Sequence, residues 1–373
     1  MRVSVIGAGI TGLSIAFHVL EHGLGTVTLV DRAGVGAGAS GVQPGGVRRQ
    51  WGTSAGCLLA DDSFAFYRDL SERLGIAVDA RLDECGYVFV ADEPSTLERL
   101  RGAVALQNEL GIPSRAVKPE ETATLVPGLA LDGFVGAAYC DTDGYFDRPQ
   151  TVVEAFAEAV RRRGAEFVTE AVVALRPDGA GWQLEARSST HTADVVVVAA
   201  GWETRPLLQP LGVDLAISPL RRHIFLGEPI GERLLEPLVV AVDRGIAAKQ
   251  LADGRLLASD LDANGDPATA QDSWRRRIRE QIVPLLPMLE YAALPLAVDG
   301  VYDMTPDGQP VVDAVAEGLW VAAGFSGHGF MIAPSIGGLV ADLLGGGAAP
   351  PWGNALRADR FASADRADET HVI

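Results

Sequence analysis

The sequence predicts an α/β chain, α+β overall, organised as two domains. Three observations carry that prediction. The chain opens as strand, glycine turn, helix and strand within residues 3–31. A second short apolar run ending in glycine, Asp194–Gly201, returns much later. Between and beyond these segments the pattern changes to short β segments interrupted by charged stretches, which suits a separate mixed sheet.

Val3–Ile6 reads as the first strand, Gly7–Gly12 as the turn and Leu13–His22 as a helix, with Leu13, Ala16, Phe17 and Leu20 on one face. Gly23 and Gly25 end that helix, and Thr26–Val30 forms the second strand with Asp31 at its tip. A glycine-rich loop spans Gly34–Gly52, followed by helices over Ser63–Leu74, Leu97–Leu110 and Pro149–Arg163. Strands are expected over Cys85–Ala91, Ala137–Tyr145 and Glu166–Thr169, and a hairpin turns at Pro177-Asp178-Gly179. Beyond residue 205 come short strands at His223–Leu226, Leu238–Val242 and Leu256–Ala258, and a charged helix near Trp274–Leu285. Pro334 is expected at the first position of a helix running through Ile336–Leu344. Residues 1–80, 146–204 and 299–349 are assigned to a discontinuous nucleotide-binding domain, 81–145 and 205–298 to a mixed-sheet substrate-binding domain, and 350–373 to a loosely held tail.

Gly7-Ala8-Gly9-Ile10-Thr11-Gly12 matches G-x-G-x-x-G, with a strand before it, a helix after it and Asp31 19 residues beyond Gly12. That context marks a Rossmann-like dinucleotide site. Gly7 permits the tight turn, Gly9 lets backbone approach a pyrophosphate, and Gly12 lets helix pack on strand. The free N–H groups of the helix N-terminus face the phosphates. Asp31, with Arg32 beside it, is placed at the adenosine ribose. The loop residues Ala39, Ser40, Gly41, Gln43, Gly45 and Gly46 offer further close backbone passage, which separates FAD from a smaller dinucleotide. A flexible surface loop is the alternative there.

The net charge is −18 and the isoelectric point near 4.7, so nucleic acid and anionic membranes are not expected partners. Cys57, Cys85 and Cys140 form no C-x-x-C pair and no metal pattern. No signal peptide precedes the first strand, and glycines and Pro334 interrupt the apolar stretch Leu319–Leu344, so a cytoplasmic protein off the membrane is expected.

Six segments together resemble the D-amino acid oxidase superfamily, in the branch that includes sarcosine oxidase, its β subunit and flavin proline dehydrogenase. They are VIGAGITGLSIAFHVL (5–20), GASGVQPGGVRRQWGT (38–53), DGYFDRPQTVVEAF (143–156), DVVVVAAGWET (194–204), VYDMTPDGQPVVD (301–313) and GFSGHGFMIAPSIGGLVADLL (324–344). The resemblance implies extended FAD, with Val173 near the adenine and Ala200, Gly201 and Trp202 closing over the nucleotide. It further implies that Gly324, Gly327, His328, Gly329, Phe330 and Met331 meet the flavin, where amides and a helix N-terminus stabilise charge arising on reduction. Tyr302 is expected to line the substrate pocket, Arg48 to fork a substrate carboxylate, and Lys249 to be a weaker carboxylate anchor. A surface ion pair is the alternative for Arg48, core packing for Tyr302, and a packed turn residue for His328.

Two departures from the family pattern bear on chemistry. Gly300 stands where a flavin-tethering cysteine is found in relatives, so non-covalent FAD is expected. A leucine in Arg255-Leu256-Leu257 stands where the oxidases carry an oxygen-activating lysine, so O2 and another electron acceptor remain equal expectations. The implied reaction is oxidation of a small amine or secondary amino acid by hydride transfer from the α-carbon to flavin N5, giving an imine that hydrolyses. The alternatives are a 2-hydroxy acid dehydrogenase, which needs His328 or His223 as base, and a non-catalytic FAD-binding subunit or assembly factor. A partner subunit or homo-oligomer stays open.

Overall fold

The computed structural model describes residues 1–263, 267–362 and 366–371. Residues 264–266 of the expected second domain, and 363–365 and 372–373 of the expected tail, lie outside that set.

Among the described residues, a six-stranded sheet is ordered Val311–Ala316, Leu319–Ala323, Val195–Val198, Arg2–Ile6, Thr26–Asp31, Glu166–Thr169. All its pairings are parallel except at the Val311–Ala316 edge. Parallel strands covered on both faces need continuous apolar runs. Val195–Val198 and Val3–Ile6 supply them, and Val5, Val197 and Val321 are fully buried. The helices Ile10–Glu21, Pro149–Arg162 and Gly329–Leu344 pack on one face, where Leu13, Phe17, Val152, Phe156 and Ile336 form the largest apolar core. The hairpin Val172–Asp178 and Gly181–Ala186 extends into Thr190–Ala193 and covers the other face through Leu184 and Trp182.

An eight-stranded sheet holds Leu296–Met304, Ser218–Pro229, Arg255–Asp260, Ile246–Gln250, Leu238–Ala241, Tyr87–Ala91, Gly136–Cys140 and Arg115–Val117, in that order. Leu238–Ala241 runs parallel to Tyr87–Ala91 and joins the two stretches of sequence into one sheet. Leu296–Met304 pairs with Ser218–Pro229 along its length, so the chain leaves this sheet at Met304. The charged helix covers Pro267–Ile282, earlier than its sequence pattern indicated, with Trp274 and Ile278 buried on the sheet.

Three expectations are corrected. The helix expected at Ser63 starts at Ser54, because the Thr53 side chain accepts from Gly56 N and caps it. The late helix starts at Gly329, so Pro334 lies inside it. A proline there strips Phe330 O of its helical donor. The Tyr67 hydroxyl replaces that donor at 2.5 Å, and Ser335 N turns to Ser63 Oγ at 3.1 Å. The tail is also not loose over its described residues. Arg360 makes a buried ion pair with Asp307, Gln309 Nε2 donates to Ala367 O, and Glu369 and His371 are buried. Its attachment rests on polar contacts to distant residues, which local composition does not reveal.

Candidate functional site: a dinucleotide cleft

A cleft of about 640 Å³ runs from the six-stranded sheet to the edge of the eight-stranded one. At its first end Gly7 has φ +110°, and any side chain there would run into the Ala199 carbonyl. Gly12 has no room for a side chain beside Gly7 O. A Cβ on Gly9 would come 3.0 Å from Ser40 Oγ, the atom that accepts from Ile10 N. Gly9, at the N-cap, offers the helix starting at Ile10 no capping side chain; Ser40 Oγ takes the Ile10 amide, and Gly9, Ile10 and Thr11 line the cleft. Asp31 lines the cleft and orders its loops as well: Oδ2 accepts from Ala8 N at 2.8 Å, and Oδ1 from Ala33 and Gly34 N. Val173, half-exposed Ala200 and Gly201, and Trp202 line this same end, and Arg32 is paired with Glu203 at 2.7 Å.

The cleft continues along Ala39, Ser40, Val42, Gln43 and Pro44. Gly41, Gly45 and Gly46 do not line it but shape this loop. A Cβ on Gly41 would run into Gly36 O, Gly45 has φ +87° with Phe146 O where its side chain would be, and a Cβ on Gly46 would run into the Tyr87 hydroxyl and come 3.4 Å from the Met331 methyl.

At the far end the cleft is walled by Gly300, Tyr302, Asp303, Phe325, Gly327, Gly329 and Phe330. The loop between the last parallel strand and the late helix is tightly wound, with positive φ at Gly324, Ser326 and Gly327. Gly324 N donates to Asp303 Oδ2 at 2.7 Å, Ser326 N to Asp303 O at 3.0 Å, and Thr305 N to Ser326 Oγ. The helix N-terminus at Gly329 and Phe330 thereby opens on the cleft, again without a side-chain cap.

His328 and Met331 point elsewhere. His328 is buried behind the loop, its ring 4.5 Å from Trp51 and its Nε2 3.2 Å from an Arg48 nitrogen. Burial and the Arg48 charge push its pKa down to about 3, so the ring is neutral and Nε2 accepts from Arg48. Arg48 is also buried behind the cleft, donating to the carbonyls of Gln50 and His371. Glu369 is its nearby counter-charge; that carboxylate accepts from Gly52 N at 2.9 Å, from Thr53 Oγ1 and from His371 N. Lys249 is buried too. Its ammonium donates to Pro44 O at 2.6 Å and sits 3.7 Å from the Tyr145 ring centroid, and burial pushes its pKa down to about 7. Leu257 is its direct cross-strand partner.

Sequence reasoning missed Arg222. It stands opposite Gly300 on the neighbouring strand, lines the cleft, and places its guanidinium 5.9 Å from the Tyr302 ring centroid. Its Nε is buried and has no hydrogen-bond partner among the described residues, whereas neighbouring Arg221 reaches Asp299. Only the strand register puts it here; Arg221-Arg222 in the sequence reads as an ordinary exposed pair. Asp143 was also missed. It is wholly buried and holds the arginine loop through Arg49 N at 2.9 Å and Gln50 Nε2 at 3.1 Å.

The residues present fit a dinucleotide carrying a ring system. Two helix N-termini face one cleft, glycines clear its floor, and Gln43 Nε2 and Arg222 Nε are buried polar atoms in its walls with no partner among the described residues. The family model for DAO, the FAD dependent oxidoreductases, matches residues 2–343. The chain belongs to this DAO family. Its cofactor is therefore FAD, and the chain is an oxidoreductase. This DAO-family chain is 28% identical to a glycine oxidase of Geobacillus kaustophilus over 92% of each chain. It is 26% identical to a 4-methylaminobutanoate oxidase (formaldehyde-forming) of Paenarthrobacter nicotinovorans, over 97% of this chain and 46% of that one. It is 25% identical to the mitochondrial dimethylglycine dehydrogenase of Rattus norvegicus, covering 42% of that protein, so it spans under half the length of these two relatives. The fold superposes on L-proline dehydrogenase from P. horikoshii with TM-score 0.88 at 24% identity, covering 97% of both chains. On the glycine oxidase structure from Geobacillus kaustophilus the TM-score is 0.81 at 25% identity, covering 93% of this chain and 96% of that one. No described helix is long and apolar enough to cross a membrane.

Proposed function

We propose that this DAO-family chain oxidises a small amine or amino acid, secondary amines included, at the carbon next to nitrogen. FAD, when bound, supplies the hydride acceptor. The chain's residues supply position and electrostatics. The open helix N-terminus at Gly329 and the amides beside it stabilise negative charge at the ring end. Tyr302 walls the substrate space, and Arg222 presents a cation for a substrate carboxylate.

The observation that carries an amine rather than a hydroxyl substrate is the absence of a histidine base at the ring end among the described residues. His328 faces Arg48, and His223 lies stacked on Trp274 at 3.7 Å. Asp303 is engaged with Gly324 N. An amine needs no such base, because its ammonium loses a proton to solvent before the hydride leaves. The imine product is then hydrolysed in water. FAD is held without a covalent bond in this reading, since Gly300 offers no nucleophile and a Cβ there would already press Val42 at 2.9 Å. The electrons pass on to O2 or a second carrier, and unpaired Cys57, Cys85 and Cys140 support a cytoplasmic setting.

The test is anaerobic mixing of the FAD-loaded protein with secondary amino acids, primary amino acids, simple amines and 2-hydroxy acids, following the visible flavin absorbance. Bleaching by an amino-bearing compound with release of amine supports the reading. Bleaching by hydroxy acids alone, or by nothing, sinks it. Admission of air and assay of peroxide then identifies the acceptor.

A further inference from the structure

Asp303 is a carboxylate in the wall of the cleft's ring end, and its ties are to backbone. Its side chain accepts from Gly324 N at 2.7 Å, and its carbonyl accepts from Ser326 N at 3.0 Å. The Phe325 amide also helps hold the carboxylate. Among the described residues, no arginine or lysine neutralises it. Arg222, on the adjacent strand, extends over Tyr302; Asp299, on its own strand, is taken by Arg221; His328, from the late helix, turns to Arg48; Thr305 and Ser326 are neutral. An acid in this place opposes the chemistry around it. Taking up a hydride brings two electrons and one proton to a flavin ring, which then carries one more negative charge. The amides of the loop favour that charge, and an ionised neighbour disfavours it.

We infer that Asp303 is a positioning residue with a second, electrostatic effect. It locks the Gly324–Gly327 loop by its backbone and carboxylate bonds, and its negative charge restrains the flavin's readiness to accept a hydride. Burial raises the Asp303 pKa to about 6, so the restraint is complete only in neutral and alkaline solution. Reduction raises that pKa further, because the two negative charges repel.

The inference rests on the FAD assignment. A wild-type protein that takes up no FAD would sink that assignment, not this one. The experiment compares the two-electron midpoint potential of FAD-loaded wild type and Asp303→Asn at alkaline pH, with hydrogen exchange of the loop amides alongside. The variant's potential is expected to rise by the equivalent of a tenfold shift in the reduction equilibrium, about 30 mV for two electrons. Amide exchange at Gly324 and Phe325 is expected to speed up. An unmoved potential with faster exchange would mean a purely structural role and overturns the proposal. Should the variant fail to hold FAD, wild type alone decides. Its potential must fall more steeply with pH above about 6, as reduction there draws in an extra proton; a plot that does not steepen overturns the inference.

Discussion

The ring of Tyr302 fills the space in which Gly327 would carry a side chain. Gly327 also has φ +89°, so two separate constraints exclude any other residue. Gly327→Ala is expected to push Tyr302 out of the cleft wall and open the loop under the flavin. FAD occupancy, read from the ratio of visible to ultraviolet absorbance, should fall, and kcat/KM with it by at least about tenfold. Gly34→Ala is the control. It has φ +97° with nothing within 4 Å of its Cβ, so it carries only backbone strain of about 1 kcal/mol and should keep its FAD.

Arg222 divides carboxylate-bearing substrates from plain amines. Its truncation to Ala is expected to raise KM for an amino acid on the order of 100-fold, the usual scale for removing one partner of a desolvated charge pair. The matching decarboxylated amine should be turned over by wild type and variant with nearly equal KM. Equal effects on both compounds would rule out a carboxylate contact.

Glu369 stabilises the folded chain by an amount that depends on acid. Its pKa is held down to about 2 despite burial, first by the His371 side chain and then by the nearby Arg48 charge and the His371 amide, against a reference near 4.5. A depressed carboxylate contributes its stability above the unfolded value and loses it as pH falls through the folded one. Wild type should therefore lose stability between about pH 4.5 and 2, and Glu369→Gln should lose less over that window. At neutral pH the variant should be less stable by about 3 kcal/mol, because Arg48 is left buried without its counter-charge. Urea denaturation at two pH values measures both.

His328 should not set the acid limb of the pH–rate profile. Its ring is neutral down to about pH 3 in the folded protein, while the unfolded ring takes a proton near 6.5. Stability owed to this difference is present above pH 6.5 and declines below it as the unfolded state gains the proton. His328→Gln, which keeps an acceptor for Arg48, should leave the shape of the kcat/KM profile unchanged. Loss of the acid limb in that variant would restore a proton-carrying role to the ring.

Much of the fold could be read from the chain because it rests on local rules. The turn at Gly7–Gly12, the strand Val195–Val198 and the hairpin at Asp178-Gly179 each announce themselves through spacing or turn chemistry. The late helix was misjudged because the proline rule assumes no outside help, and Tyr67 supplies that help from far along the chain. In the site, residues that act through backbone were legible: glycines at close approaches leave a sequence mark. Side-chain direction left none. Arg48 and His328 lie in the right segments but face away from the cleft, toward Glu369 and His371, whereas Arg222 faces into it because its strand pairs in register with Leu296–Met304. Register and the docking of a distant terminal segment are properties of the assembled chain.

The nucleotide-binding sheet joins Arg2–Ile6 to Val195–Val198, and that strand to Leu319–Ala323, while Gly52 waits for Glu369. During vectorial synthesis the glycine turn therefore emerges long before the strand that supports its other side. Its apolar run, Val3–Ile6, stays unpaired on one edge until the ribosome has passed residue 198, and the ring end of the cleft has no floor until the late helix follows. Contacts this distant in sequence make for slow closure and a long-lived exposed edge. The two ends of the cleft thus come together only when segments more than 300 residues apart have both been made.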